Sequence, residues 1–310
     1  MIDPHRLQFL VEVAHWGTVT AAAEAMGYSP SAASQQLAAL ARDLDIELLD
    51  RRGRNVVLTA AGRALVDRAD DVFDALEAAE TAARRAAEVA SGTVLVGALG
   101  STIVDLVPLA IARLHADAPH LTLDVRHLGD DMLDALRHRT VDVAIEHRWS
   151  NVDPIDVDGL HVVSLCREPV YVVAPSDLDL NDPRVRADAA WIEHPCAQCG
   201  PGTLDVIRRL GVSGPQMQFT TDDMTVMLHV AALGAALPVV PGLVTLHLPD
   251  GVRPWAVPDV SRRIGGFIRD VGRGDPGLET VLSHLADAGA DVQARMDEFR
   301  AGAPTLDVVA

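Results

Sequence analysis

The hydrophobic pattern of the chain changes its period at Ser91-Gly92, and this change constrains the fold more than any other feature. Through residues 7–90, apolar positions recur mainly at the spacing of helices. After Gly92, short apolar runs such as 93–97 and 141–145 alternate with amphipathic helices. Because alternating strands and helices are typical of a parallel sheet covered by helices, we predict a helical N-terminal part followed by an α/β part.

Length, composition and cysteine count place the chain among globular proteins of two or three domains. It has 310 residues, of which 49% are hydrophobic, enough for sizeable cores. It contains no run of about 18 or more apolar residues, and residues 1–6 lack the layout of a signal peptide. Three cysteines do not make a disulfide scaffold. We therefore expect a cytoplasmic protein without membrane contact.

Three short helices are predicted in the first 44 residues. The first ends at Gly17, the second is capped by Thr18 and ends at Gly27, and the third begins at Ser29-Pro30. Serine is a good N-cap, and the missing N–H of proline has no cost in a first turn. Two helices joined by a tight glycine turn are typical of a helix-turn-helix, although spacing alone fits a plain helical bundle equally well.

The third helix and the segment that follows it favour the helix-turn-helix. Its predicted buried face consists of Ala33, Leu37 and Leu40, and polar side chains occupy its N-terminal half. Residues 48–59 are then predicted to form a β-hairpin with an arginine-rich tip. A charged run is ordinarily a solvated surface, but this one lies where a wing would meet the phosphates of DNA.

The net charge of −18 argues against nonspecific binding of nucleic acid, whose affinity comes mostly from phosphate neutralisation. The charge is uneven. Residues 1–62 hold five arginines and seven acidic residues, a net charge of −2, whereas residues 63–310 carry −16. All 26 basic residues are arginines, which bind phosphate through two N–H groups at once. A small local patch that contacts DNA is therefore compatible with the composition.

Residues 1–62 resemble the winged helix-turn-helix of LysR-type transcriptional regulators. The similarity rests on residues 17–23, on residues 29–37 and, most specifically, on the run 48–62, and the family pattern extends over almost the whole chain. It implies an α/β fold with an N-terminal all-helical winged helix-turn-helix and a two-lobed periplasmic-binding-protein-like effector domain. The implied divisions are a DNA-binding domain over 1–62, a linker helix over 63–90, lobe I over 91–165 and 265–300, lobe II over 166–264, and a loose tail over 301–310.

The predicted linker helix begins after Thr59 and carries a heptad seam. The seam consists of Leu65, Ala69, Val72, Leu76, Ala79, Ala83, Ala86 and Ala90. One interpretation is a lone amphipathic helix that packs on its own domain. The resemblance implies instead that this helix pairs two subunits, with a homotetramer as the expected assembly, double-stranded DNA as partner, and further contacts with the transcription machinery.

The predicted DNA-contacting residues belong to the third helix and the hairpin. The N-terminal half of a recognition helix enters the major groove, where Gln can pair with adenine and Ser can contact a base or a phosphate. The helix residues are Ser29, Ser31, Ser34 and Gln35. Arg51, Arg52 and Arg54 are assigned to the phosphates.

The predicted effector site lies between the two lobes, at the carboxyl ends of the strands. Two hydroxyls and free N–H groups after the first strand would suit an anion such as a carboxylate. Residues after the third strand and residues across the cleft complete the set. The candidates are Ser101, Thr102, His147, Arg148, Gln198 and Thr203. The resemblance therefore implies a ligand-responsive regulator that binds partly palindromic promoter DNA and a small, anionic effector.

The segment His194-Pro195-Cys196-Ala197-Gln198-Cys199 leaves three interpretations open. We favour two small residues that line a pocket. A metal site is the least favoured interpretation, because a structural zinc site needs four ligands and only three candidates are local. A redox pair at Cys196 and Cys199 would make the protein a thiol-redox-sensing regulator, although the cysteine spacing of peroxide-sensing family members is not matched. For the whole chain, a further alternative function that does not depend on the cysteines is a solute-binding protein whose N-terminal module mediates assembly.

Catalytic motifs are missing from the sequence. It has no P-loop, no G-x-S-x-G and no H-E-x-x-H, and Asp222-Asp223 at a strand-to-helix junction is typical of a helix cap. We therefore predict no enzyme activity, no cofactor and no metal.

Overall fold

A computed structural model describes residues 1–52, 55–88, 90–129, 132–149, 156–195 and 203–307, without the side chains of Arg51, Arg52 and Asn55. The chain divides into two compact units, Met1–Ala83 and Arg84–Ala310.

The first unit contains helices and one hairpin. Its elements are α1 (Pro4–Trp16), α2 (Val19–Ala25), α3 (Pro30–Leu44), β1 (Leu49–Arg52), β2 (Asn55–Leu58), α4 (Ala60–Val66) and the larger part of α5 (Ala69–Ala87). Each helix from α1 to α4 begins at a side-chain cap, which satisfies N–H groups of its first turn. The caps are Asp3, Thr18, Ser29 and Thr59.

The core of this unit confirms the predicted faces of the short helices. Ala33, Leu37 and Leu40 of α3 are buried against Phe9 and Leu10 of α1 in one hydrophobic cluster. Strands β1 and β2 pair antiparallel, as predicted. The packing leaves the polar N-terminal half of α3 exposed, with the hairpin and α4 completing the unit.

The predicted continuous linker helix is wrong in its first part. A turn at residues 67–68 separates α4 from α5. The break allows Ala69 and Phe73 to pack against Leu7 and Val11 of α1, and burial of these apolar groups explains why the helix is interrupted here. The predicted seam is therefore divided: Ala69 is buried within its own unit, whereas Val72 and Leu76 are 38% and 43% exposed.

The second unit is an α/β structure, as predicted. Its main sheet has the order β4-β3-β5-β10-β6-β9, and β7 pairs with β8 in a smaller parallel sheet. The strands are β3 (Gly92–Ala98), β4 (Leu121–His127), β5 (Val143–Trp149), β6 (Leu160–Pro175), β7 (Ala190–Glu193), β8 (Gln216–Thr220), β9 (Val239–Pro241) and β10 (Val252–Arg269). The helices are α6 (Gly100–Asp117), α7 (Met132–Arg137), α8 (Pro183–Asp188), α9 (Thr203–Arg209), α10 (Met224–Ala232) and α11 (Pro276–Gly302), with 3₁₀ turns at Gly242–His247 and Asp270–Gly272.

Two long strands, β6 and β10, run through both halves of this unit and pair antiparallel along their lengths. Their Leu165 and Ile264 belong to the core beneath α6 and α11. Further along the same strands, Val172 and Trp255 belong to a second core that includes residues of α9 and β7. The two halves therefore share strands β6 and β10. The division into lobes at 165/166 and 264/265 stays a prediction.

The expectation of a loose C-terminal tail is wrong for residues 304–307. Thr305 forms a bridge with Ala256 of β10, and Leu306 donates a backbone hydrogen bond to Ala256. Leu306 is only 1% exposed because it packs into the second core. An apolar side chain after the last helix therefore anchors this segment.

Candidate ligand cavity and nucleic-acid interface

A cavity of about 1090 Å³ lies in the second unit, bounded by residues from both of its cores. The volume is at the upper end for sites that enclose a drug-sized molecule. Its walls include the first turn of α6, the end of β5 and the starts of α9 and α10. Of the predicted effector residues, the structure brings Ser101, His147 and Thr203 to this cavity.

Arg262 of β10 lies in the cavity wall although it is only 5% exposed. The register of β10 against β6 shifts between Ala256 and Ser261, with Asp259 at a φ of 57°. Such an irregularity changes the face toward which the following side chains point. Arg262 follows it directly, and its Nη2 donates to the Ser101 hydroxyl at 2.6 Å.

Glu168 of β6 is the counter-ion of Arg262. Its side chain is fully buried and accepts a hydrogen bond from Nε of Arg262, while its Oε2 accepts from the Leu243 backbone N–H at 2.9 Å. A buried charge needs such a partner, because desolvation of an unpaired ion is costly. The ion pair therefore fixes the position of the Arg262 side chain inside the protein.

Helix α6 begins at the cavity without a side-chain cap. Its first residues, Gly100 and Ser101, both line the cavity. The prediction for Thr102 is corrected: this side chain is fully buried, is not part of the cavity wall, and donates its hydroxyl to the Leu99 carbonyl at 2.9 Å. The carbonyl three residues back competes for the hydroxyl, so Ser101 is the residue that presents one to the cavity.

His147 lies in the cavity wall, 8% exposed, with Nδ1 at 2.7 Å from Glu146 Oε1. That contact lacks the geometry of a hydrogen bond, and among the described residues neither ring nitrogen has a hydrogen-bonding partner. The prediction for Arg148 is corrected, because alternation along β5 puts it on the opposite face. Its guanidinium lies over the ring of Phe267, 5.3 Å from the centroid, and outside the cavity.

The opposite wall includes Thr203, whose hydroxyl accepts a hydrogen bond from the His194 backbone N–H at 3.3 Å. Gln198, Cys196 and Cys199 lie outside the described residues, so their assignment stays a prediction. Within the described part of the chain, no group of three or more His, Cys, Asp or Glu side chains is arranged to hold a metal.

The exposed surface of α3 contains the predicted base-contacting residues Ser29, Ser31, Ser34 and Gln35. Ser29 Oγ caps the helix by accepting from the Ala32 N–H at 3.2 Å, and it lies 3.0 Å from Ser31 Oγ. Arg51 and Arg52 are on β1, but the structure does not describe their side chains, and Arg54 is outside the described residues. Ser29 is thus engaged as the helix cap, whereas Ser34 and Gln35 have exposed side chains, and contact of any of these residues with bases stays a prediction.

The fold and these two surfaces define a class of protein: a helix-turn-helix unit for DNA joined to an α/β unit with a ligand cavity. Comparison with known families agrees. The model described as "Bacterial regulatory helix-turn-helix protein, lysR family" matches residues 4–63, and "LysR substrate binding domain" matches residues 87–290. The chain belongs to the LysR family of bacterial transcription regulators, which bind DNA. No helix in the described ranges is long and apolar enough to cross a membrane.

Individual relatives cover most of the chain at modest identity. A probable hydrogen peroxide-inducible genes activator of Mycobacterium leprae is 26% identical over 84% of this chain and 85% of its own length. The uncharacterised regulator YfeR of Shigella flexneri is 26% identical over 98% of both chains. Full-length OxyR C199D of Pseudomonas aeruginosa shares the fold with a TM-score of 0.62 and 20% identity, covering 93% of this chain and 95% of that one. CbnR in complex with its target DNA has a TM-score of 0.52 and 21% identity, covering 93% and 100%.

Proposed function

We propose that this regulator binds partly palindromic promoter DNA through α3 and the β1–β2 hairpin and responds to a small effector in the cavity. One observation supports this most strongly: a large cavity in the matched substrate-binding domain contains a buried, fixed arginine. The effector would favour one arrangement of the lobes and so shift the population of assembled states. Changed spacing between DNA-binding units would then alter promoter occupancy.

The proposed assembly is a dimer paired through α5, with two dimers in a tetramer. Exposed Val72 and Leu76 on α5 support the pairing. An assembly is needed because a single unit with a net charge of −2 would bind DNA weakly, and linked half-sites increase the effective concentration. We expect the protein in the cytoplasm, because a regulator acts on DNA there, and the family of regulators supports a role without catalysis.

The DNA surface is tested by two variants with different expected signatures. In Arg51→Ala/Arg52→Ala, we expect weaker binding to all DNA sequences and a salt-dependence slope lower by roughly one for each lost phosphate contact. In Gln35→Ala, we expect altered preference among sequences at nearly the same slope, because base contacts specify and phosphate contacts position. Titration of labelled upstream DNA at several salt concentrations measures both.

Gln36→Ala, on the same helix, is the matched control for Gln35→Ala, because position 36 is less exposed and not among the proposed contacts. If the double arginine variant keeps the wild-type slope, the hairpin does not touch the DNA backbone. If wild-type protein fails to retard upstream DNA at low salt, the proposed regulator function is contradicted.

A thiol-redox regulator remains a second candidate, supported by the name of the Mycobacterium leprae relative, a probable hydrogen peroxide-inducible genes activator. Its sensor would be the pair Cys196 and Cys199. In that case mild peroxide shifts the DNA affinity of wild-type protein reversibly, and the shift disappears in Cys196→Ser/Cys199→Ser. A response to small ligand that persists in this double variant supports the effector-binding function instead.

Cys166 provides an internal control, because we expect it to be unreactive. Burial, and secondarily the charge of Glu168, raises the pKa of this thiol from 9.0 to about 12, against the opposing effect of Arg262. Only the thiolate reacts, so the Cys196→Ser/Cys199→Ser protein should resist alkylation at pH 8 until it is unfolded. The thiol ionises at a lower pH in the unfolded chain than in the folded protein. The free energy of unfolding should therefore decline as pH rises from 9.0 toward 12. Rapid alkylation of the folded protein, followed by mass spectrometry, would contradict this expectation.

A further inference from the structure

Most carboxylates on the described cavity wall already have hydrogen-bonding or ionic partners within the protein. Asp105 lies 2.9 Å from Nε2 of His247 and 3.2 Å from Nη1 of Arg295. Asp223 accepts the N–H groups of Thr225 and Val226 at the start of α10. The remaining partnered carboxylates are Asp134 with Arg137 and Glu146 with the backbone N–H of His147. Among the described lining residues, Asp222 is the carboxylate without such a partner, and it is exposed.

The two arginines of the described wall, Arg137 and Arg262, differ in whether other groups of the protein already use their N–H donors. Arg137 is engaged with Asp134 and Asp156, both on the protein surface. Arg262 uses Nε for Glu168 and Nη2 for Ser101, and within the described chain its Nη1 has no hydrogen-bonding partner. A guanidinium binds a carboxylate best through two N–H groups in one plane. Nη1 of Arg262 therefore offers a ligand a donor next to Nη2, the nitrogen that contacts Ser101.

Two further groups at the same cavity lack partners. The uncapped start of α6 places the Gly100 and Ser101 backbone N–H groups at the wall, without a hydrogen bond to the described chain. His147 is more than nine-tenths buried; its Nδ1 lies 2.7 Å from Glu146 Oε1, and its Nε2 is without a hydrogen-bonding partner in the described chain. Buried polar groups are nearly always satisfied, so unpartnered ones at a cavity wall indicate a ligand that supplies the missing bonds.

We propose that Arg262 is the residue that selects the charge of the effector, and that the effector is a monocarboxylate with an apolar body. This inference rests on the proposed ligand-responsive function. Ser101 and the first N–H groups of α6 complete the carboxylate subsite. Glu168 is a positioning residue, because it acts on the ligand through Arg262.

An apolar body fits the rest of the cavity wall. Away from Arg262, the described wall combines histidine and acidic side chains with a larger set of apolar ones. The apolar side chains include Leu99, Val104, Leu128, Leu133, Val170, Val206, Met224, Leu228, Val239, Val240, Leu243 and Val244. A ligand that buries apolar area there gains affinity that a small inorganic anion or a sugar acid would lack.

The test uses full-length protein and a panel of aliphatic and aromatic monocarboxylates, each paired with its primary amide. Binding is measured by the change in tryptophan fluorescence, since Trp149 lines the cavity, and by calorimetry. For wild-type protein we expect the best acid to bind about tenfold to hundredfold more tightly than its amide, as for a charge-assisted hydrogen bond. Equal binding of acid and amide, or binding of no acid, would overturn the carboxylate class.

Three variants separate charge selection from mere structure. Arg262→Gln alone leaves Glu168 buried without a partner and can fail to fold, so Arg262→Gln/Glu168→Gln removes both charges together. We expect this double variant to lose the preference for acids, whereas Glu168→Gln keeps the preference, because the cation remains and the amide oxygen of glutamine can still accept from Nε of Arg262. Arg263→Gln is the matched control, because Arg263 is the exposed neighbour on β10 and is not part of the wall.

The outcomes distinguish this inference from the proposed function. If Glu168→Gln and the double variant lose the acid preference equally, the ion pair is only structural and the inference is wrong. If the double variant retains the preference, Arg262 does not read the charge. In either case the DNA titrations still report independently on whether the protein is a ligand-responsive regulator.

Discussion

Replacing Gly62 with alanine should weaken DNA binding at least tenfold and lower the melting temperature of the first unit by roughly 5–20 °C. A Cβ at this position would lie 2.2 Å from the carbonyl oxygen of Leu48, a backbone atom that already accepts the Thr59 N–H. Helix α4 would have to move away from the hairpin, at a cost of about 1–3 kcal/mol. The displaced hairpin would then lose the phosphate contacts proposed for Arg51 and Arg52.

Ala64→Ser is the matched control for this variant, because residue 64 is exposed on the same helix. It should leave both DNA affinity and melting temperature near wild-type values. Gel retardation and thermal unfolding measure the two quantities. A Gly62→Ala protein with unchanged DNA affinity would show that α4 and the hairpin tolerate displacement, or that the hairpin does not contribute to binding.

Leu76→Asp should convert the assembled protein into smaller species. Leu76 is 43% exposed on α5 and belongs to the proposed pairing surface, where an unpaired carboxylate would be buried by the partner helix. Breaking such a buried contact costs about 3–5 kcal/mol, which corresponds to a rise of roughly a hundredfold or more in the dissociation constant. Sedimentation velocity over a range of concentrations measures the shift.

Ala78→Asp introduces the same charge on the opposite face of α5, at an exposed position, and should leave the assembly intact. If Leu76→Asp sediments like the wild type, the seam does not pair subunits. Equal disruption by both variants would instead indicate that added charge weakens the helix itself.

Local chemistry made the N-terminal unit predictable. Thr18, Ser29 and Thr59 were expected to begin helices because each cap involves residues within three positions along the chain, and the structure confirms all three. The break at residues 67–68 was missed because it depends on Phe73 packing against α1, a tertiary contact that the heptad spacing does not contain.

The contact at the cavity that the sequence did not predict joins residues far apart in the chain. Arg262 and Glu168 are 94 residues apart in sequence, and only the pairing of β10 with β6 brings them together. The sequence of these strands does not single the pair out, because β6 also contains Arg167 and β10 also contains Arg253, Asp259, Arg263 and Arg269. The wrong prediction for Arg148 could have been avoided from the sequence alone. Successive side chains of a strand point to opposite faces, so Arg148 lies on the face opposite to His147 and Trp149.

The two strands that run through both halves of the α/β unit have a thermodynamic consequence. Because Leu165 and Val172 of β6 belong to different cores, as do Ile264 and Trp255 of β10, neither core can melt without pulling apart strands that the other needs. The halves should thus form one cooperative folding unit. A substitution that loosens one core then lowers the stability of the other, and ligand bound at the cavity between them raises the stability of both.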